Sequence, residues 1–378
     1  MERSADIAIV GAGIAGLAHA YMALKKGYKV VLFERDQFAV GASIRNFGLL
    51  WPIGQAPGVD LDRALRSREI WNDISAEAGL WNNPNGSIQL AYHDDELDIF
   101  NEFLSLYSSA DYDCEFVTPQ QIARLSPGVR QKDLKGGLFS KTESTVNPRE
   151  AIRRIPLWLE QKYGLILKFG QMVTQIAIPH VKTTRESWLA KKVIICSGAE
   201  FQTLYPEAYA QQNFSKCKLQ MLKATPSQAF QLGPSLCAGL TLRHYPAFAE
   251  CRSLKKLDDR YDTLSVKYKT NGIHVLLAQN NYGELIIGDS HHYNQTVEPF
   301  DSEEINALII EYLKSFFDFG FNITERWNGV YPKVPGNHCI VLEPEPNVLI
   351  VNGLGGAGMT LSFGLAEEVI ERIDNGLA

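Results

Sequence analysis

The run Ile7-Ala-Ile-Val-Gly11-Ala12-Gly13-Ile14-Ala15-Gly16, closed by Glu34 at the end of Lys29-Val-Val-Leu-Phe-Glu34, constrains the fold of this chain more than any other feature. Residues 7–10 form a short apolar run with β-branched members, the pattern of a buried parallel strand. Gly11 permits a tight turn off that strand, Gly13 lets backbone approach a pyrophosphate, and Gly16 allows close helix–strand packing. Residues 17–26 then predict a helix and residues 29–33 a second strand. Glu34 stands 18 positions after Gly16, close to the roughly 20 expected for a carboxylate that accepts hydrogen bonds from ribose hydroxyls. Strand, glycines, helix, strand and acid in register predict a dinucleotide-binding unit, with the phosphates on the positive end of the helix.

A chain of 378 residues is too long for one ordinary core and predicts two domains. Its net charge of −6 gives no basic footprint for nucleic acid or an anionic membrane. Six cysteines without a CxxC pair or zinc spacing fit a reducing cytoplasm. The first apolar strand begins at Ile7, so no signal peptide is expected. No run approaches the roughly 18 apolar residues of a membrane span.

Helical patterns follow over about 61–78, 94–107 and 148–163, the last two with Thr118-Pro119 between them as a further helix start. Residues 86–92 alternate like a strand, and Lys191-Lys-Val-Ile-Ile-Cys196-Ser197-Gly198 reads as a buried strand of the first sheet. From about Leu219 the texture turns strand-like, at 240–245, 272–279 and 284–288, with a covering helix at 303–317. Val348-Leu-Ile-Val-Asn352 then runs into Gly353-Leu-Gly355-Gly356-Ala-Gly358-Met359-Thr360 and a helix over 361–373. A dinucleotide domain with strands near residues 7 and 350 must be interrupted by the other domain. The expected fold class is α/β: a discontinuous Rossmann-like cofactor domain (1–82, 143–218, 327–378) and an α+β substrate domain (83–142, 219–326) with a mainly antiparallel sheet.

Four blocks, the 11–16 glycines with Glu34, Gly41-Ala-Ser43 through Gly48, Val193 to Gly198, and Trp327-Asn-Gly329-Val-Tyr331-Pro332 through Ser362, resemble the D-amino-acid oxidase, glycine oxidase and sarcosine oxidase superfamily. The resemblance implies FAD. By position it would put Glu34 on the AMP ribose and Arg35 at the adenine end. Ser43, Arg45, Asn46, Phe47 and Gly48 would run along the pyrophosphate toward the isoalloxazine. Gly355, Gly356, Gly358, Met359 and Thr360 would bring backbone N–H groups to the flavin N1–C2=O edge, where they can stabilise the charge of the reduced ring. Gly11, Ala12, Gly13, Ile14, Ala15, Gly16, Val173, Ser197, Gly198, Gly329 and Gly353 complete the implied cofactor set. More narrowly, Arg45-Asn-Phe-Gly, Trp51-Pro-Ile-Gly, Leu242-Arg-His-Tyr-Pro246 and Gly283 to Ser290 resemble a bacterial branch proposed to oxidise an aminophosphonate.

Three departures carry information. The Gly-x-Arg-Pro motif that supplies a carboxylate-binding arginine reads Gly329-Val-Tyr331-Pro332 here. The covalent cysteine of sarcosine oxidases aligns with Gly329, which implies non-covalent FAD. The lysine that promotes reaction with oxygen aligns with Ile286, which leaves oxygen or another carrier as acceptor.

An anionic substrate needs placed cations, because charge-assisted bonds are the strong ones. Arg45 is a candidate, with a pyrophosphate contact as the equal alternative. Arg243 and His244 are expected on a strand over the substrate cavity, where alternation would turn only one inward. Lys333 is the cation nearest the lost arginine, and His338 lies just beyond it. Trp51, Tyr245 and Tyr331 are suitable cavity walls. The residues expected to act on the substrate directly are Arg45, His244, Tyr331 and His338. His291 and His292 are adjacent on a strand and point to opposite faces, so no metal is assigned. The expected reaction is oxidation of a small anionic amine at its C–N bond by hydride transfer to flavin N5, followed by imine hydrolysis. The alternatives are another FAD enzyme such as a monooxygenase, to which Gly288-Asp289 has a partial likeness, or a non-catalytic dinucleotide-binding protein.

Overall fold

The computed structural model describes residues 3–336 and 339–376. Its first sheet has eight strands. Strand β1 (Ser4–Val10), helix α1 (Ile14–Lys25) and strand β2 (Val30–Glu34) open it. β1 lies between β2 and the strand Ser187–Ile195, parallel to both, and the latter pairs in parallel with Val348–Asn352. Ile166–Phe169 extends the parallel set beyond β2. A parallel sheet is covered on both faces, and β2 and Val348–Asn352 are buried at every residue. Antiparallel strands Val173–Ala177, His180–Thr183 and Ile340–Glu345 complete the sheet.

On one face α1 packs beside the helices Pro148–Tyr163 and Gly358–Asp374, the latter against Val59–Ala78. Gly11 (φ +101°) and Gly16 explain how closely: a Cβ on Gly16 would stand 1.9 Å from the Gly11 carbonyl oxygen, and one on Gly11 2.4 Å from that of Cys196.

The second sheet has nine strands, antiparallel except where Ser235–Ala238 runs parallel to Ser87–Ala91. Its spine is Ser215–Pro226 paired along its length with Phe321–Lys333, a register that sets Cys217 opposite Tyr331 and Leu219 opposite Gly329. The helix Glu303–Phe316 covers it, and Leu308, Ile309, Leu313 and Phe316 enter a core shared with Ile88, Leu90, Leu236 and Leu277.

One expected strand is absent. Residues 240–245 form a 3₁₀ turn (Gly239–Thr241) and a second turn, because Leu242 and His244 donate their N–H groups to the carbonyls of Gly239 and Thr241. Pro246 then removes the next ladder donor. The helix Leu254–Leu264 that follows carries no signal used in the sequence reading.

Candidate functional site

Two adjoining cavities, of about 410 and 470 Å³, form a groove between the sheets and share Ile14, Ser43, Arg45, Tyr331, Gly355 and Gly358 in their walls. At one end lie Gly11, Gly13, Ala15, Glu34, Arg35, Val173, Ser197 and Gly198. Toward the other lie Asn46, Phe47, Trp51, Gly329, Gly353, Gly356, Met359 and Thr360.

Both helix N-termini at this groove suit an anionic, phosphate-bearing guest. Neither α1 nor Gly358–Asp374 has a capping side chain on its own N-cap residue or an acid in its first turn, so the positive ends are left for a ligand. Ser43 Oγ lies over the first, accepting the Ile14 N–H at 2.9 Å. The Glu34 carboxylate accepts the N–H groups of Ala12 (2.9 Å) and Asp36 (3.1 Å), which fixes the glycine turn to the end of β2. A carboxylate has about four acceptor sites, so Glu34 retains capacity for ribose hydroxyls. Arg35 is exposed beside Asp36, 3.6 Å away. At the other end Thr360 Oγ1 accepts the Trp51 N–H at 2.9 Å, and the Met359 carbonyl accepts the Trp71 indole N–H at 2.9 Å. Those bonds hold the first turn of the last helix against the cavity.

Ala12, Gly16 and Gly48 are not in the walls of either cavity. Gly48 (φ +78°) has a packing reason instead, since a Cβ there would stand 2.0 Å from the Val146 carbonyl oxygen. Asn46 shapes its own loop: its amide donates to the Ala42 and Ser43 carbonyls, and its side-chain oxygen accepts the Gly48 N–H. Ser197 Oγ donates to the Glu200 carbonyl at 2.8 Å.

The candidate cations differ in how much of their charge is already used. Arg45 donates from Nε to the Val40 carbonyl (2.7 Å) and from Nη1 to that of Asn328 (3.2 Å), which ties the 41–48 loop to the second sheet. Arg243 is in the cavity wall but pairs with Asp258 at 2.5 Å, so its charge is largely neutralised. With the segment a turn rather than a strand, His244 and Arg243 both reach the cavity. Lys333 makes no ion pair among the described residues. Its Nζ stands 3.8 Å from where a Cβ on Gly355 would be, and Tyr331 Oη has the same separation from Gly356. Tyr331 and Lys333 thus present one face of the strand to the glycine turn, as a period of two requires, while a Cβ on Gly329 would meet Leu219 and the Arg45 carbonyl oxygen. His338 lies outside the described residues.

Trp51 and Tyr245 close the cavity with ring centroids 6.1 Å apart, and Gly54 lets them approach. Burial holds the Tyr245 and Tyr331 phenols well above their ordinary range, so both stay protonated.

The sequence reading missed His274 and Asp289. They face each other across an antiparallel pair, each backbone N–H donating to the other's carbonyl, and His291 follows Asp289 on the same face. The His244, His274 and His291 rings stack with centroids 4.0 to 4.8 Å apart. Desolvation between the cavity walls, and then the other two imidazoles, pull His244 well below the usual histidine value, and burial takes His291 down to about 4. The alternation Asp289-x-His291 was a visible signal, but nothing in the sequence pairs it with His274 or His244.

A family described as FAD dependent oxidoreductase matches residues 6–372. Mouse sarcosine dehydrogenase is 25% identical over 152 residues, covering 39% of this chain and only 16% of the relative's own length. Glycine oxidase of Bacillus licheniformis is 20% identical, covering 99% of this chain and 94% of the relative. The structure of glycine oxidase from Bacillus cereus superposes with a TM-score of 0.79 at 18% identity, covering 98% of this chain and 95% of that one. No helix among the described residues is long and apolar enough to cross a membrane. With the fingerprint, the two helix ends and the glycine turn on one groove, the chain belongs to the FAD-dependent oxidoreductase family and FAD is its cofactor.

Proposed function

We propose that the protein oxidises the C–N bond of a small amine bearing an anionic group, an amino acid or an aminophosphonate. The observation that carries this reading is Lys333, a cation without an ion pair among the described residues, set beside the glycine turn in an aromatic-walled cavity. Relatives named for glycine and sarcosine, both anionic amines, point the same way. FAD, when bound, supplies the hydride acceptor.

The chain's own residues bind and orient. Lys333 takes the anionic group, and Arg45, with its donors partly used, steadies the loop beneath it. Tyr331 and Tyr245, protonated, offer hydroxyls to the substrate's polar atoms. Trp51, Leu219 and Met221 exclude water and hold the α-carbon in one orientation. Tyr331 replaces the arginine that would grip a planar carboxylate bidentately, so recognition passes to the point charge of Lys333, which suits a tetrahedral phosphonate equally well. FAD is held non-covalently, since Gly329 has no side chain to attach it. The electron acceptor is oxygen or another carrier.

The test is anaerobic mixing of the yellow protein with panels of amino acids, N-methyl amino acids and aminophosphonates. Loss of the oxidised-flavin absorbance with anionic amines, and not with their uncharged analogues, is the expected result. Reduction by uncharged amines at equal rates would remove Lys333 from the account.

A further inference from the structure

We propose that His244, His274 and His291 form a binding site for one divalent metal ion of the zinc type in the cavity wall, balanced by the Asp289 carboxylate. One ligand nitrogen from each of the three histidines lies within 4.8 Å of the others. Donors 2.0–2.1 Å from a tetrahedral zinc stand about 3.3 Å from one another, so the rings, stacked at 11° to 28° to one another, turn out of their stack to aim their lone pairs at one ion.

Three observations point to a guest. Both ring nitrogens of His274 lack a hydrogen-bond partner, although the residue is only 5% exposed. Asp289 Oδ1 is likewise unpartnered and lies 3.0 Å from His274 Nε2, in contact but without hydrogen-bond alignment. Buried polar groups are otherwise almost always satisfied, and each exception calls for a reason. His291 Nδ1 is 3.2 Å from the Gly272 carbonyl oxygen. Donating there leaves Nε2 with its lone pair free, the backbone-carbonyl arrangement that orients metal-ligating histidines. His244 is exposed to the cavity, which leaves an open side to the ion.

A buried carboxylate opposes an anion at this spot, whereas imidazole and carboxylate together suit zinc. Three protein nitrogens leave a fourth position for an oxygen ligand. On the amine-oxidation reading, that position faces the substrate's anionic group, and Lys333 and the ion share its charge.

The site is tested without substrate, so its failure leaves the amine-oxidation reading standing. FAD-loaded protein is stripped with a chelator and dialysed against Zn²⁺ alone, and metal and flavin are counted per chain. The expected result is one Zn²⁺ per chain, with at least about tenfold weaker uptake in His274→Ala and in Asp289→Asn, whereas His292→Ala matches wild type. Retained flavin certifies that each variant is folded; should His274→Ala lose its flavin, Asp289→Asn and His291→Gln carry the comparison. Uptake no higher than that of the variants, or uptake unchanged by them, overturns the proposal.

Discussion

Gly329, Tyr331 and Lys333 lie two positions apart on one strand face, and each has a different consequence for the site. Replacing Lys333 by Met removes the charge but keeps the stem. The expected outcome is a KM for the anionic amine raised about tenfold to a hundredfold, the worth of a hydrogen bond to a charged group, with a smaller change in kcat, read by steady-state kinetics. Equal effects on both parameters would mean that Lys333 acts on the reaction step instead. Glycine positions separate cofactor binding from backbone strain. Gly16→Ala drives a Cβ to 1.9 Å from a backbone oxygen, whereas Gly27→Ala meets nothing within 4 Å and pays only for its φ of +85°. Gly16→Ala should therefore lose most of its flavin and at least about 1–3 kcal/mol of stability. Gly27→Ala should keep a full flavin-to-protein ratio and lose about 1–2 kcal/mol, both measured by absorbance and urea unfolding.

At the scale of elements, α1 carries the cofactor turn and also a buried histidine. His19 Nδ1 lies 2.7 Å from the Ala15 carbonyl oxygen while Nε2 has no partner, and burial lowers its pKa from 6.5 to about 4. The unfolded chain therefore binds the proton first as pH falls. His19 contributes stability that is present above about pH 6.5 and is lost toward pH 4, about 3 kcal/mol across that window. His19→Phe should flatten that part of the pH dependence in urea unfolding. Local pattern made the fingerprint, the helix over 148–163, and the last strand and helix legible in the sequence. The turn at 239–245 was not legible, because Leu240 and Leu242 are buried in either conformation and only hydrogen bonds to Gly239 and Thr241 choose between them. Charge compensation was equally hidden: Arg243 reads as a free cation until the helix Leu254–Leu264 brings Asp258 to it.

Across the whole molecule, the cofactor groove is assembled from β1, the 41–54 loop, the strand Phe321–Lys333 and the glycine turn before the last helix, segments that meet only in the folded chain. A ligand spanning such distant segments binds only the folded state. FAD added to stripped protein at about 100 times its Kd should stabilise it by about 2.7 kcal/mol. For a chain of this length that raises Tm by about 3 °C, which a thermal-melt titration reads. The histidine cluster belongs to this scale too, since its members come from a turn and two strand ends that no sequence periodicity links. The central claim, that the groove binds FAD so that a small anionic amine gives up its C–N hydrogen there, is tested most directly by an anaerobic single turnover with product counting. The account predicts that amine alone reduces the flavin and yields one carbonyl product, with one ammonia or amine, per flavin reduced. Flavin that stays oxidised with every anionic amine, or that is reduced only when a nicotinamide cofactor is added, would contradict it.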